Sequence, residues 1–163
     1  MPDRIRLDGR VAVVTGAAGV IGRATIGLLA ERGARIVAVD RRQADLDSAV
    51  KDLPTSAQAL AIAADVTEED GVKDYVRTAV ERFGTIDAFY NNAGVEGVVK
   101  PIQDYPLEAF RKVLDVNVVG ALMVARTARV MCNTGGGSVV NISDGGAFAA
   151  ARGAWPMTLP RER

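Results

Sequence analysis

Val11-Ala12-Val13-Val14-Thr15-Gly16-Ala17-Ala18-Gly19-Val20-Ile21-Gly22 is the stretch that decides the fold of this chain. A short apolar run breaks into a glycine-rich turn. Apolar residues then recur at helical spacing through Ile21, Ala24, Leu28 and Leu29, as far as Glu31, before Gly33 stops the pattern. That reads as strand, turn, helix. In this setting a dinucleotide pyrophosphate is received by the first helix amides and the positive end of the helix dipole, and glycine lets the backbone come close. On its own the turn also reads as a plain strand-to-helix connection, so the rest of the chain has to arbitrate.

The same alternation continues downstream. Arg35 to Val39 reads as a second strand ending in Asp40, and Ala44 to Leu53 as a helix closed by Pro54. A third strand spans Ala57 to Ala64 and ends in Asp65; Thr67 is then the expected cap of an amphipathic helix to Phe83. Val72, Val76, Ala79, Val80 and Phe83 form its apolar face, and Glu68, Glu69 and Asp70 sit at its positive end. Ile86 to Tyr90 is a fourth strand, Asn91 to Pro106 a loop, Leu107 to about Met131 a long helix softened at Gly120, and Ser138 to Ile142 a fifth strand. Helical crossovers between strands force parallel pairing. The expected fold is α/β, a Rossmann-like doubly wound parallel sheet of about five strands, in a single domain over residues 1–163.

Composition narrows the chemistry. With 20 basic and 20 acidic residues the formal net charge is zero, which points away from nucleic acid and anionic membranes as partners and toward a small molecule. No histidine is present, so imidazole catalysis, Ser-His-Asp triads and His-ligated zinc are excluded, and no metal site is expected. The single cysteine, Cys132, cannot close an internal disulfide and is expected to be a buried helix thiol. The amino terminus has no signal-peptide core, and the longest apolar run, Val118 to Ala125 interrupted by Gly120, is too short to span a bilayer; a cytoplasmic location is the expectation.

Asp40 lies some twenty residues beyond the glycine turn, where a carboxylate accepts hydrogen bonds from the adenosine ribose hydroxyls. Such bonds contribute about 1.5–3 kcal/mol each, and the same charge repels a 2′-phosphate, which favours NAD over NADP. Arg41 and Arg42 follow and can pull the other way by pairing with that phosphate, or form a solvated loop pair.

Thr15-Gly16 with Gly22, Asp65-Val66, Asn91-Asn92-Ala93-Gly94, Asn117 within Val-Asn-Val-Val-Gly, and the Gly137 to Ser143 segment resemble the short-chain dehydrogenase/reductase family, in order and at its spacing, over residues 7–143. The resemblance implies that Thr15, Gly16, Gly19, Val20, Ile21, Gly22, Asp40, Arg41, Asp65, Val66, Asn92, Ala93 and Gly94 bind a nicotinamide dinucleotide. Asp65 would meet the adenine amino group, the Val66 amide its ring, and Asn117, at a kink in the long helix, would hold a water of the proton relay. Read without the resemblance, Asp65 is a helix starter and Asn117 a core amide with satisfied bonds.

Two departures stand out. The family usually has glycine at the position of Val20, and a positive φ there would strain a β-branched residue, leaving Gly19 to take that role. The family's catalytic Ser aligns with Asp144, one residue after Ser143, and no Tyr is followed four residues later by Lys. The resemblance therefore implies a chain ending before the Tyr-x-x-x-Lys motif, with residues 144–163 a divergent tail. A frame change is one route to such a tail, since codons for Ala154 to Arg161 can be shifted to encode the motif. Without a Tyr lowered from its ordinary pKa of about 10 by a neighbouring Lys, turnover is expected near background. An alcohol or ketone is the expected substrate only of a completed relative. Also expected are an exposed fifth-strand edge that invites homo-oligomers or aggregation and, as the alternative reading, a non-catalytic NAD-binding or subunit-interaction module.

Overall fold

The computed structural model of the protein describes residues 5–143. Three strands come first, β1 (Val11–Thr15), β2 (Arg35–Asp40) and β3 (Ala59–Ala63), separated by α1 (Val20–Glu31) and α2 (Gln43–Lys51). Helix α3 (Glu69–Phe83) then leads into β4 (Ala88–Asn91). The long helix consists of α4 (Leu107–Leu114) and α5 (Gly120–Asn133), joined by a π-turn at Asp115–Val119, and β5 (Ser138–Asn141) follows. All pairings are parallel, in the order β3-β2-β1-β4-β5. The chain moves outward from β1 to β3, then returns to start the other half at β4. The carboxyl ends of β1 and β4 therefore border the crevice where the winding reverses, and open α/β sheets bind ligands there.

Alternation along the strands builds the core on both faces of the sheet. Val11, Val13, Val37 and Val39 pack against Val72, Tyr75, Val76 and Ala79 of α3 and Val124 and Met131 of α5. Ala12, Val14, Ile36 and Ala38 point the other way, onto Ile26 and Ala30 of α1 and Leu46 and Ala49 of α2. Neighbouring residues of β1 thus serve opposite layers, as a period of two requires.

Several expectations are corrected. The core face of α1 is Gly22, Ile26 and Ala30, whereas Ile21, Ala24 and Leu28 are exposed, because the helix starts pressed against the turn at Gly22, where only glycine clears Gly16 and Ala17. Thr67 does not cap α3; the N-cap is Glu68, and Thr67 instead donates its amide and hydroxyl to Asp65 Oδ1 at 2.9 and 2.7 Å. Cys132 is exposed. It lies one residue, or about 100°, beyond the buried Met131 and so off the core stripe. At the other sheet edge Val139, Val140 and Ile142 are all exposed. Among the described residues no helix is long and apolar enough to cross a membrane, and no group of three or more His, Cys, Asp or Glu is placed to hold a metal.

Candidate functional site

The turn between β1 and α1 is held from behind by side chains of β4. Thr15 donates its hydroxyl to Asn91 Oδ1 at 3.0 Å and accepts from the amides of Asn92 and Ala93, each at 3.1 Å. Asn92 Nδ2 donates to the carbonyls of Thr15 and Gly16, both at 3.2 Å. Asn91 in turn donates to Asn141 Oδ1 of β5 at 3.2 Å. A row of polar side chains therefore ties three strand ends together. Such a row is stable where it is shielded, since a buried amide without partners costs about 1–3 kcal/mol, and Thr15 and Asn91 are both buried.

Gly16 carries the turn's positive φ, at +63°; Gly19 has φ −73° and ψ 170°, and Val20 is the first residue of α1. Neither Gly19 nor Val20 is in the left-handed region, so valine at position 20 meets no backbone strain, and Gly19 has no such role to take over. Val20 is 89% exposed and its side chain borders the cleft. The first i→i−4 bond of α1 runs from Arg23 N to Gly19 O at 2.8 Å. The amides of Val20, Ile21 and Gly22 precede it and are the groups a helix leaves for an anion.

In front of the turn lies a cleft of about 360 Å³. Gly16, Gly19, Val20, Ile21, Asp40, Arg41, Asp65, Val66, Asn92, Ala93 and Gly94, all sequence-predicted, line it together with Ala64, Val95 and Val116. Thr15 and Gly22 are not part of its lining: Thr15 braces the turn through its hydroxyl, and Gly22 lets α1 start close against the turn. The three unpredicted residues are sequence neighbours of Asp65, Gly94 and Asn117, and that adjacency is the signal that could have found them.

Asp40 is anchored by two amides, accepting from Ala18 N at 3.1 Å and Arg41 N at 2.7 Å. Arg42 pairs with Asp45 in the next helical turn, while Arg41 lines the cleft and makes no ion pair among the described residues. Of the two cations considered from the sequence, one is thus engaged elsewhere. Val66 is buried, its side chain packed toward Gly120 of the long helix. Asn117 sits on the π-turn, as a kink position should, but its side chain clamps the loop: Oδ1 accepts from Val95 N at 2.9 Å and Nδ2 donates to Val95 O at 3.0 Å. Ser143 follows β5 and is exposed; Asp144 lies outside the described residues. First-turn amides on one wall and fixed carboxylates on another suit a phosphate-linked nucleoside, and so fit a dinucleotide.

The model of the short chain dehydrogenase family matches residues 10–154. Levodione reductase of Leifsonia aquatica is 37% identical over 145 residues, covering 86% of this chain and 54% of that protein. Borneol dehydrogenase of Lavandula x intermedia is 36% identical over 153 residues, 93% of this chain and 58% of its own length. This chain therefore spans little more than half of these relatives. Among solved structures, levodione reductase superposes with a TM-score of 0.85 at 35% identity, over 90% of this chain and 58% of that one. NAD+-bound xylitol dehydrogenase gives 0.83 at 38%, over 88% and 56%. The family match takes in the whole glycine turn, both cleft carboxylates and the long helix, and on that ground the chain belongs to the short-chain dehydrogenase family of oxidoreductases.

Proposed function

We propose that residues 1–163 form a single dinucleotide-binding domain that takes NAD in preference to NADP, in a protein whose chemistry moves hydride between that cofactor and an alcohol or ketone. The observation that carries this is the fixed Asp40 carboxylate, held by two backbone amides at the rim of the cleft that α1 opens into. In this reading the first-turn amides of α1 receive the pyrophosphate. Asp40 accepts from the ribose hydroxyls, Asp65 and Val66 meet the adenine, and Asn92 to Gly94 line the far end. When bound, the nicotinamide supplies or takes up the hydride. Among this chain's own residues, Asn117 and the segment from Ser143 into Asp144 lie nearest in sequence order to the family's catalytic positions. The side chain of Asn117 is committed to Val95, so its part is to fix the loop beside the cleft. The reductase and dehydrogenase names of the relatives support an alcohol or ketone as substrate class. Residues 1–163 hold no Tyr-x-x-x-Lys, so this stretch taken by itself is expected to bind the nucleotide with turnover near background.

Calorimetry with NAD and with NADP, paired with an alcohol-oxidation assay that follows reduced cofactor, tests this. Micromolar NAD binding, weaker NADP binding and background turnover are expected, and Asp40→Ala should lower NAD affinity by about tenfold or more while narrowing the gap to NADP. Absence of nucleotide binding, or brisk turnover, would refute it. The subunit-interaction reading is favoured by one observation, the exposed line of Leu107, Leu114, Val118 and Leu122 along the long helix. Sedimentation of the purified chain decides it: a monomer at high concentration removes that role.

A further inference from the structure

Arg23 lies one position past the glycine turn and outside the set of residues that line the cleft. Its guanidinium nevertheless makes four contacts that join the turn to α2. Nε donates to Ala18 O at 3.0 Å and Nη2 to Asp45 O at 3.0 Å. Nη1 reaches Ser48 Oγ at 3.4 Å and Asp52 Oδ2 at 3.3 Å. The planar fork of the guanidinium lets one side chain span a carbonyl of the turn and a carbonyl of the neighbouring helix at once.

The backbone of Ala18 is thus held on both sides of its Cα, through two successive peptide groups. Its carbonyl points to Arg23, and its amide donates to Asp40 Oδ2 at 3.1 Å. Releasing the Ala18 carbonyl would free the torsions at Ala18 and loosen the turn from α2, and the Ala18 amide that fixes one oxygen of Asp40 would lose its defined position. We propose that Arg23 is a positioning residue for nucleotide selectivity: by fixing the backbone at Ala18 and tying the turn to α2 it holds the Asp40 carboxylate in the orientation that separates a free ribose 2′-hydroxyl from a 2′-phosphate. The inference rests on the proposed NAD site.

Arg23→Ala removes the carbonyl contact and the link to α2. NAD affinity falls by about tenfold, and the ratio of NAD to NADP affinity shrinks by a comparable factor, because a loosely held carboxylate discriminates less. A merely structural role would lower the melting temperature without moving that ratio at temperatures where the variant is folded. Ser48→Ala and Asp52→Ala strip only the solvent-side contacts and leave the ratio as in the wild type. Arg23→Lys keeps the charge and the reach to Asp52 but not the fork, so it is expected to fold and still lose selectivity; it decides the matter if Arg23→Ala does not fold. An unchanged NAD to NADP ratio in the folded Arg23 variant overturns the inference. Failure of the wild-type chain to bind either nucleotide would instead overturn the site itself.

Discussion

Gly22→Ala and Gly27→Ala make the same chemical change five residues apart on α1, and the structure assigns them opposite signs. A Cβ on Gly22 overlaps the Gly16 carbonyl oxygen and lies 2.7 Å from Ala17 Cα and 2.9 Å from its carbonyl carbon. Carbon atoms prefer about 3.5–4.0 Å, so the overlap is close to 1 Å, and every atom met is backbone that no rotamer change can move aside. Relief requires lifting the start of α1 off the turn. Overpacking of this kind costs about 1–3 kcal/mol, only partly offset by the ~1 kcal/mol that Ala gains over Gly in a helix. At Gly27 the added Cβ meets nothing within 4 Å, so the helix gain of about 0.5–1 kcal/mol stands alone. At roughly 2–4 °C per kcal/mol for a chain of this length, Gly22→Ala melts several degrees below the wild type and Gly27→Ala a few degrees above it. The lifted helix also withdraws the amides of Val20 and Ile21 from the cleft. Calorimetry should therefore show NAD binding weakened about tenfold in Gly22→Ala and unaltered in Gly27→Ala. Wild-type melting and wild-type NAD affinity in Gly22→Ala would refute the claim that α1 is pressed against the turn at this residue.

Tyr75 is fully buried beside Phe89, and its hydroxyl finds no hydrogen-bond partner among the described residues. Tyr75→Phe should therefore raise stability by about 1 kcal/mol, read by urea denaturation. Burial also pushes the Tyr75 pKa well above its ordinary value, so the folded state prefers the neutral phenol. That contribution is complete below pH ~10 and is lost as the pH rises above it, so the loss attributable to this residue should vanish in Tyr75→Phe. The hydrogen bond from Lys73, with the charge of Arg126 behind it, holds the Glu69 carboxylate below its usual range. The small stabilisation is present above pH ~4.3 and disappears as the pH falls through the lowered value; acid titrations of Glu69→Gln should lack that component, and strong salt should erase the difference. Asn117→Ala unpairs both backbone groups of Val95, at a cost of about 1–2 kcal/mol, and should speed amide exchange at Val95 while leaving the strands protected.

The sheet was legible because its information is local. An apolar run, a glycine turn and a helix repeat specify a crossover unit without reference to the rest of the chain, and the strand spans read from sequence agree with the observed ones to within a few residues. What failed was the reading of helix faces and of one helix cap. Ile21 and Leu28 are spaced for a core, yet α1 crosses the sheet through Gly22, Ile26 and Ala30, a choice set by how near the helix must come to Gly16. Thr67 has the chemistry of a cap, but its bonds go back to Asp65, and nothing in the local composition separates those two outcomes. Cys132 misled for the same reason as Ile21: apolarity gives the stripe only when the neighbouring elements are known. Within the site, the lining residues were visible as a motif. The bridge that Arg23 makes from Ala18 to Asp45 depends on where α2 sits, which no spacing along the sequence reveals.

The division of labour inside the cleft follows from these bonds. Thr15, Asn91, Asn92 and Asn117 are the polar residues that a motif search singles out, yet each spends its hydrogen-bonding groups on protein partners. They set the backbone, and the backbone presents the amides of α1. A phosphate bound there is recognised by groups whose position costs nothing to reorganise, which gives affinity but little choice between nucleotides, since the pyrophosphate is common to all of them. Choice must come from side chains that face the ligand with charge to spare. Asp40 and Arg41 are adjacent on the cleft rim and opposite in sign, one fixed by two amides and the other without an ion pair among the described residues. The anchored charge acts at a defined point, whereas the unanchored one can swing away at the cost of side-chain entropy alone. That asymmetry is why the carboxylate, and the peptide that orients it, should outweigh the neighbouring arginine in selecting the nucleotide.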